Sequence, residues 1–254
     1  MRVLITGFEP FGHDTENASE SVAQALAHRF PPREHAHTGQ NNAGSTLECI
    51  SEILPVTFAE AHLVLQAAVE KHQPDFILCL GEAGGRDYLS LEHIGVNEHN
   101  ARIPDNAGEQ PVGSAIIPSG ERYLNPQLPL SVDQLCAVIN QHGITAKPSN
   151  DAGRFVCNHV SYWLYYWLDR KPEWMTATGG IFVHIPALRS NSIATVGAET
   201  DPETPSVASV DPNAPRTIEQ CVTGLTLMLE ELHRVTMRTT ALSYVRACAA
   251  NVQG

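Results

Sequence analysis

FILCLG, residues 76–81, is apolar at every position before its glycine. A strand with one wet face alternates apolar and polar residues. An unbroken run of this length needs cover on both faces. Outward from it near-continuous apolar runs recur at Val3–Phe8, Ile50–Val56 and Ile181–Ile185. Between these runs lie patterns of helical period. Ser19–Phe30 carries Val22, Leu26 and Phe30 at a spacing of four, and Ala59–His72 carries Leu63, Leu65, Ala68 and Val69. Val132–His142 is a third candidate. Asn158–Leu168 offers Val160, Leu164, Trp167 and Leu168, and Ile218–Val235 is the most regular, with Val222, Leu225, Leu229 and Leu232. Strands alternating with helices predict an α/β fold: a single-domain α/β/α sandwich over residues 1–254 with a mixed, mostly parallel central sheet.

The chain has 254 residues and a formal net charge of −12. Nucleic-acid phosphates need a basic face, so this balance argues against a nucleic-acid partner. No stretch reaches the roughly 18 to 20 consecutive apolar residues that span a bilayer. The opening MRVLITGFEP lacks the longer apolar segment and small-residue cleavage site of a signal peptide, so a cytoplasmic location and no membrane contact are expected. Six cysteines stand at 49, 79, 136, 157, 221 and 248 with no CxxC pair. In a reducing compartment they are free thiols, most of them small core residues. Pro31–Ser45 and Ser190–Pro215 are polar and read as loops, the second as a long insertion. Ala241–Gly254 either extends the last helix or hangs loose.

One cysteine sits in a different setting. In DAGRFVCNHVSYWLYYWL, residues 151–168, Cys157 falls between a short apolar run and the first turn of an amphipathic helix. Backbone N–H groups and the positive dipole end there favour a thiolate. The plain alternative is a core cysteine at a strand–helix junction. His184, in GGIFVHIPAL, is delivered by an apolar strand that stops at Pro186, a rigid mount for a general base. A satisfied core histidine is the competing reading. Glu92, in YLSLEHIGVN, puts one carboxylate in an apolar stretch, where it could orient an imidazole. The competing reading is a surface glutamate, and Glu82 in LGEAGGR is a rival acid. TGFEPFG (Thr6–Gly12) and GEAGGR (Gly81–Arg86) follow strands, where open α/β sheets bind ligands, but neither is a phosphate loop. Arg102 lies in the turn-rich NARIPDNAG. His35, His37, His93 and His99 raise a metal, but there is no HExxH, and no metal or organic cofactor is expected.

In order, TGFEPFG, LPV, GEAGGR, SLEHIGVNEHNARIPDN, SNDAGRFVCNHVSYWL and FVHIP resemble the motifs of bacterial pyroglutamyl peptidase I, the pyrrolidone-carboxylate peptidases. The resemblance covers about Met1–Leu188 and, more loosely, the last regular helix. It implies a catalytic set of Cys157, His184 and Glu92, and so chooses between the two acids. It also implies Arg102 near the oxyanion, and substrate contacts from Phe8, Phe11, Asn17, Glu82, Ile103, Phe155 and Val156. The implied reaction is removal of an N-terminal pyroglutamyl residue from peptides through a thioester. The implied assembly is a homo-oligomer, dimer or tetramer.

Three features depart from the family pattern. Glu82 stands where many relatives carry Gln. Ala18 replaces a proline common after the asparagine at position 17, which would leave that loop less rigid. The segments at 31–45 and 190–215 look longer than usual. Other readings are a phosphorylase- or nucleosidase-like enzyme on a similar sheet, a non-catalytic pyroglutamate binder and a metal hydrolase.

Overall fold

A computed structural model describes residues 1–32, 46–188 and 211–251. Expectations for residues 33–45, 189–210 and 252–254 lie outside the described residues. The first half contains β1 (Arg2–Phe8), α1 (Ala18–Arg29), β2 (Glu48–Leu54), α2 (Ala61–His72), β3 (Phe76–Ala83) and β4 (Leu89–Glu92). Four short strands follow: β5 (Gly95–Val96), β6 (His99–Asn100), β7 (Val112–Ser114) and β8 (Tyr123–Leu124). The chain continues with α3 (Val132–Asn140), β9 (Ala146–Ser149), α4 (Val156–Arg170), β10 (Gly179–Pro186) and α5 (Ile218–Asn251).

Six strands form one sheet in the order β2-β1-β3-β10-β4-β9. The pairs β2–β1, β1–β3 and β3–β10 are parallel, β10–β4 is antiparallel, and β4–β9 is parallel again. This is the mixed, mostly parallel sheet expected from the near-continuous apolar runs and the helical patterns between them. Alternate residues of each run feed two cores. Leu78, Leu80, Val183 and Ile185 pack with Val22, Leu26, Leu135 and Leu225, on the face of α1, α3 and α5. Ile77, Cys79 and Phe182 pack with Leu65, Val69, Val160 and Leu164, on the face of α2 and α4.

Local chemistry sets the ends of the helices. Asn17 caps α1 with its side-chain oxygen on the Ser19 N–H. Ser131 and Gln134 form a reciprocal capping box at α3. Helices α2 and α4 stop at residues of left-handed conformation, Gln73 (φ 47°) and Lys171 (φ 49°). At its start α4 differs: Phe155 occupies the cap position and its side chain makes no capping hydrogen bond.

Two strands had no apolar run to announce them. β4 has four residues, all buried. β9 reads AKPS and lies at the sheet edge, where a proline without an N–H is tolerated. Helix α5 runs on through residues 236–251, well past the Ile218–Val235 expected from its regular stripe.

Candidate active site

β10 lies between β3 and β4, and its register brings two groups together. His184 pairs with Ser90, and Phe182 pairs with Glu92. His184 and Glu92 are therefore diagonal neighbours on one face of an antiparallel pair, within reach of long side chains. His184 Nδ1 stands 2.8 Å from Glu92 Oε1. A carboxylate only accepts, so Nδ1 carries the proton and Nε2 is the ring's other hydrogen-bonding atom. The Tyr165 hydroxyl inserts at the same step of the ladder. It donates to the Glu92 carbonyl at 2.7 Å and accepts from the Phe182 N–H at 3.1 Å.

Glu92 is fully buried. Burial pushes its carboxyl upward, but the hydrogen bond and charge of His184, with the charge of Arg86, outweigh this and hold it below the ordinary carboxylate range. For His184, burial pulls the pKa down. Hydrogen bonding and charge from Cys157, then from Glu92, outweigh burial and lift it to about 9. Cys157, His184 and Glu92 thus form one connected set, and the rival acid has a different task. Glu82 Oε2 accepts from the Ala18 N–H at 2.8 Å, at the N-terminus of α1. The residue expected to loosen this loop instead supplies a hydrogen bond that a proline could not make.

Cys157 lies in the first turn of α4 and is half-buried. Cysteines 49, 79, 136 and 221 are buried, and burial pushes each thiol up to about 12. Asn158 locks the turn that carries Cys157. Its Oδ1 accepts from the Val96 N–H at 2.9 Å, and its Nδ2 donates to Val96 O at 2.8 Å and Glu98 O at 3.1 Å. Beneath the sulfur lies Gly81, opposite His184 in the register. A Cβ at 81 would stand 3.0 Å from Cys157 Sγ and 2.8 Å from the Phe182 ring. We expect Gly81→Ala to displace the sulfur, lowering kcat/KM by about 10- to 100-fold and stability by about 1–3 kcal/mol. Steady-state kinetics and urea unfolding read both. Unchanged kinetics would show that the thiol does not depend on this close approach.

Two hollows share Cys157 in their walls. A cavity of about 90 Å³ is walled by Phe8, Phe11, Val56, Phe155 and Val156, with Asn17, Asp14 and Glu82 as its polar lining. The Phe11 and Phe155 rings lie 5.1 Å apart. A cleft of about 670 Å³ opens beside it, with Cys157, His184, Arg86, Arg102 and Ile103 among its walls. Of the expected substrate contacts, Phe8, Phe11, Asn17, Glu82, Phe155 and Val156 line the cavity. Ile103 lines the larger cleft and is 38% exposed.

The family model for pyroglutamyl peptidase matches residues 1–214. A pyrrolidone-carboxylate peptidase of Streptococcus pyogenes is 38% identical over 186 residues, 73% of this chain and 78% of the relative. One from an Enterobacter species is 35% identical over 199 residues, 77% and 83% of the two chains. The crystal structure of pyroglutamyl peptidase I from Bacillus amyloliquefaciens superposes with a TM-score of 0.67 at 32% identity, covering 90% of this chain and 94% of that one.

The chain belongs to the pyroglutamyl peptidase family.

It is an enzyme of that family, a hydrolase of the thiol-peptidase kind, on the α/β fold its solved relatives share. Nothing in these findings favours a phosphorylase-like enzyme, a binder without turnover or a metal hydrolase. The pyroglutamyl peptidase match ends at residue 214, so α5 lies beyond it.

Beside the candidate set is a group that the motifs did not announce. His99 Nε2 lies 2.8 Å from His159 Nδ1, and His159 Nε2 lies 3.0 Å from His62 Nδ1. With one proton per ring the three imidazoles link head to tail in either direction. The Phe58 ring meets His99, His159 and Phe155 with centroids 4.9, 5.9 and 5.2 Å away, and so joins this row to the cavity wall. Among the described residues no group of His, Cys, Asp and Glu is arranged to hold a metal ion, and His99 serves this row instead. His62 and His159 are far apart in sequence and each sits in an amphipathic helix, so only the packing of α2 on α4 reveals them.

Proposed function

We propose that this chain removes an N-terminal pyroglutamyl residue from peptides, with Cys157 as nucleophile, His184 as general base and acid, and Glu92 as the orienting acid. The observation that carries the reading is the 2.8 Å His184–Glu92 contact, on a ring that also bonds Cys157, beside a small apolar cavity. A pyroglutamyl terminus is a five-membered lactam without an ammonium group. It suits a pocket of aromatic rings with a few polar atoms for the ring N–H and C=O.

Cys157 attacks the carbonyl that joins the lactam ring to the next residue, and its proton passes to His184. The oxyanion is met by first-turn N–H groups of α4, which has no capping side chain to consume them, with Arg102 nearby in the cleft. His184 gives its proton to the leaving amine, and the peptide departs through the larger cleft. His184 then takes a proton from water, which hydrolyses the thioester and frees pyroglutamate. Glu92 holds the imidazolium formed in each half. Residues 1–254 act in this reading as one peptidase domain.

The test is release of a fluorescent amine from its pyroglutamyl derivative, with free glutamyl and prolyl derivatives as controls. Selective cleavage of the pyroglutamyl compound is the expected result. A folded protein that leaves it intact would sink the reading.

A cytoplasmic location is supported by the free thiols of the described cysteines. Among the described residues no helix is long and apolar enough to cross a membrane. A homo-oligomer is the assembly that the family resemblance supports, and light scattering on the purified protein tests it.

A further inference from the structure

Arg86 lies between β3 and β4, and the reaction as described gives it no part. Its Nη1 donates to Glu92 Oε1 at 2.8 Å, the same oxygen that receives His184 Nδ1. Its Nη2 donates to the Asp151 carbonyl at 2.7 Å, and Nη1 also stands 3.5 Å from Ser149 Oγ. One planar guanidinium therefore ties the buried acid to the end of β9 and to the loop that leads into α4. The Glu92 side chain is 0% exposed and that of Arg86 22%, so water screens the pair little.

We propose that Arg86 is a positioning residue for this reaction, fixing the Glu92 carboxylate against His184 and, by sharing its oxygen, moderating how tightly that carboxylate holds the imidazole proton. The proposal rests on the reading of Cys157, His184 and Glu92 as the catalytic set. Two donors on one oxygen fix the carboxylate's rotation, which sets the direction of the imidazole. A cation beside the acid also opposes the positive charge on His184. Without it the full carboxylate charge falls on the ring, and the ring keeps its proton to higher pH. The imidazolium that protonates the leaving amine would then persist to higher pH. The other titratable and charged groups around His184 are Cys157 from α4 and, in the walls of the cleft, Glu82 from β3 with Arg102, Arg154, Glu98 and Asp151. Arg86 alone among them bonds Glu92.

The experiment compares Arg86→Met, which removes the charge, with Arg86→Lys, which keeps it but cannot span both Glu92 and Asp151. In Arg86→Met we expect kcat to fall about 10- to 100-fold with KM within about threefold, and the alkaline limb of kcat/KM to move up by about half a pH unit or more. In Arg86→Lys the limb stays at the wild-type position and kcat is intermediate. A purely structural brace would lower both variants' rates and move neither limb, and that result overturns the proposal. So does a Met variant with kcat within twofold of wild type, or one that changes KM alone. If Arg86→Met does not fold, Arg86→Gln, which can still reach one carbonyl, carries the same expectation. The pH dependence of Cys157 alkylation by iodoacetamide reads the same limb without any substrate. A wild type that cleaves no pyroglutamyl amide therefore defeats the functional reading, while the alkylation limb still decides the role of Arg86.

Discussion

Cys157→Ser lowers cleavage of a pyroglutamyl amide by at least about ten-thousandfold and leaves Tm within about 3 °C of wild type. The substitution changes acidity at nearly constant shape. Sulfur and oxygen differ little in size, so Asn158, Gly81 and the Phe155 wall keep their contacts. A serine hydroxyl is far less acidic than a thiol and a poorer nucleophile at neutral pH, so the same imidazole activates it far less. Alkylation gives an independent reading. Cys49, Cys79, Cys136 and Cys221 are buried with thiols pushed up to about 12. Iodoacetamide should therefore label the native protein at Cys157 before those four and abolish activity in proportion. A serine variant within tenfold of wild type would refute the assigned nucleophile and leave the substrate standing.

Acid should unfold this protein through the histidine row. Burial, then repulsion from His62 and His99, lowers the pKa of His159 from 6.5 to about 2. His62 and His99 are also lowered, chiefly by burial. A histidine held neutral in the fold takes up its proton only on unfolding, so stability falls as pH drops below the unfolded value. Each pH unit below about 6.5 costs up to about 1.4 kcal/mol per such ring. His184 has the opposite sign. Its raised pKa makes a contribution that is full below the unfolded value and lost as pH rises towards about 9. Maximum stability therefore falls near neutrality. Urea unfolding at about pH 7 and about pH 4.5 should show His159→Gln losing about 2–3 kcal/mol less than wild type over that interval. The variant cancels the carboxylate contributions common to both proteins. Equal losses in the two would mean that His159 is not held neutral.

The sheet was legible because β1, β3 and β10, side by side within it, are buried on both faces, and that needs no partner to be read. β4 and β9 were not. β4 is only four residues long, and β9 carries Lys147 and Pro148 at an edge where one side meets solvent. Cys157 was legible through its place at a helix start. His184 was legible through the strand that ends behind it. Glu92 could not be told from Glu82 by residue chemistry, because the difference is made by β10 lying against β4 rather than by either glutamate's neighbours in sequence. The family motif order made that choice, and the 2.8 Å contact with His184 agrees with it. Arg86, Tyr165 and the histidine row act across large sequence separations, and nothing local marks them.

The strand order has a consequence for synthesis. β10 separates β3 from β4, yet it is made after both and after the helix that bears the thiol. Until residues 179–186 leave the ribosome, β3 has an open edge and the β4–β9 pair has nothing to join. Glu92 then has no histidine and Cys157 no base. The nascent chain thus carries the Cys157 thiol without its partner only from the addition of residue 157 until residue 184 follows. Chemical competence arrives in one step, when a single late strand closes a long-range gap.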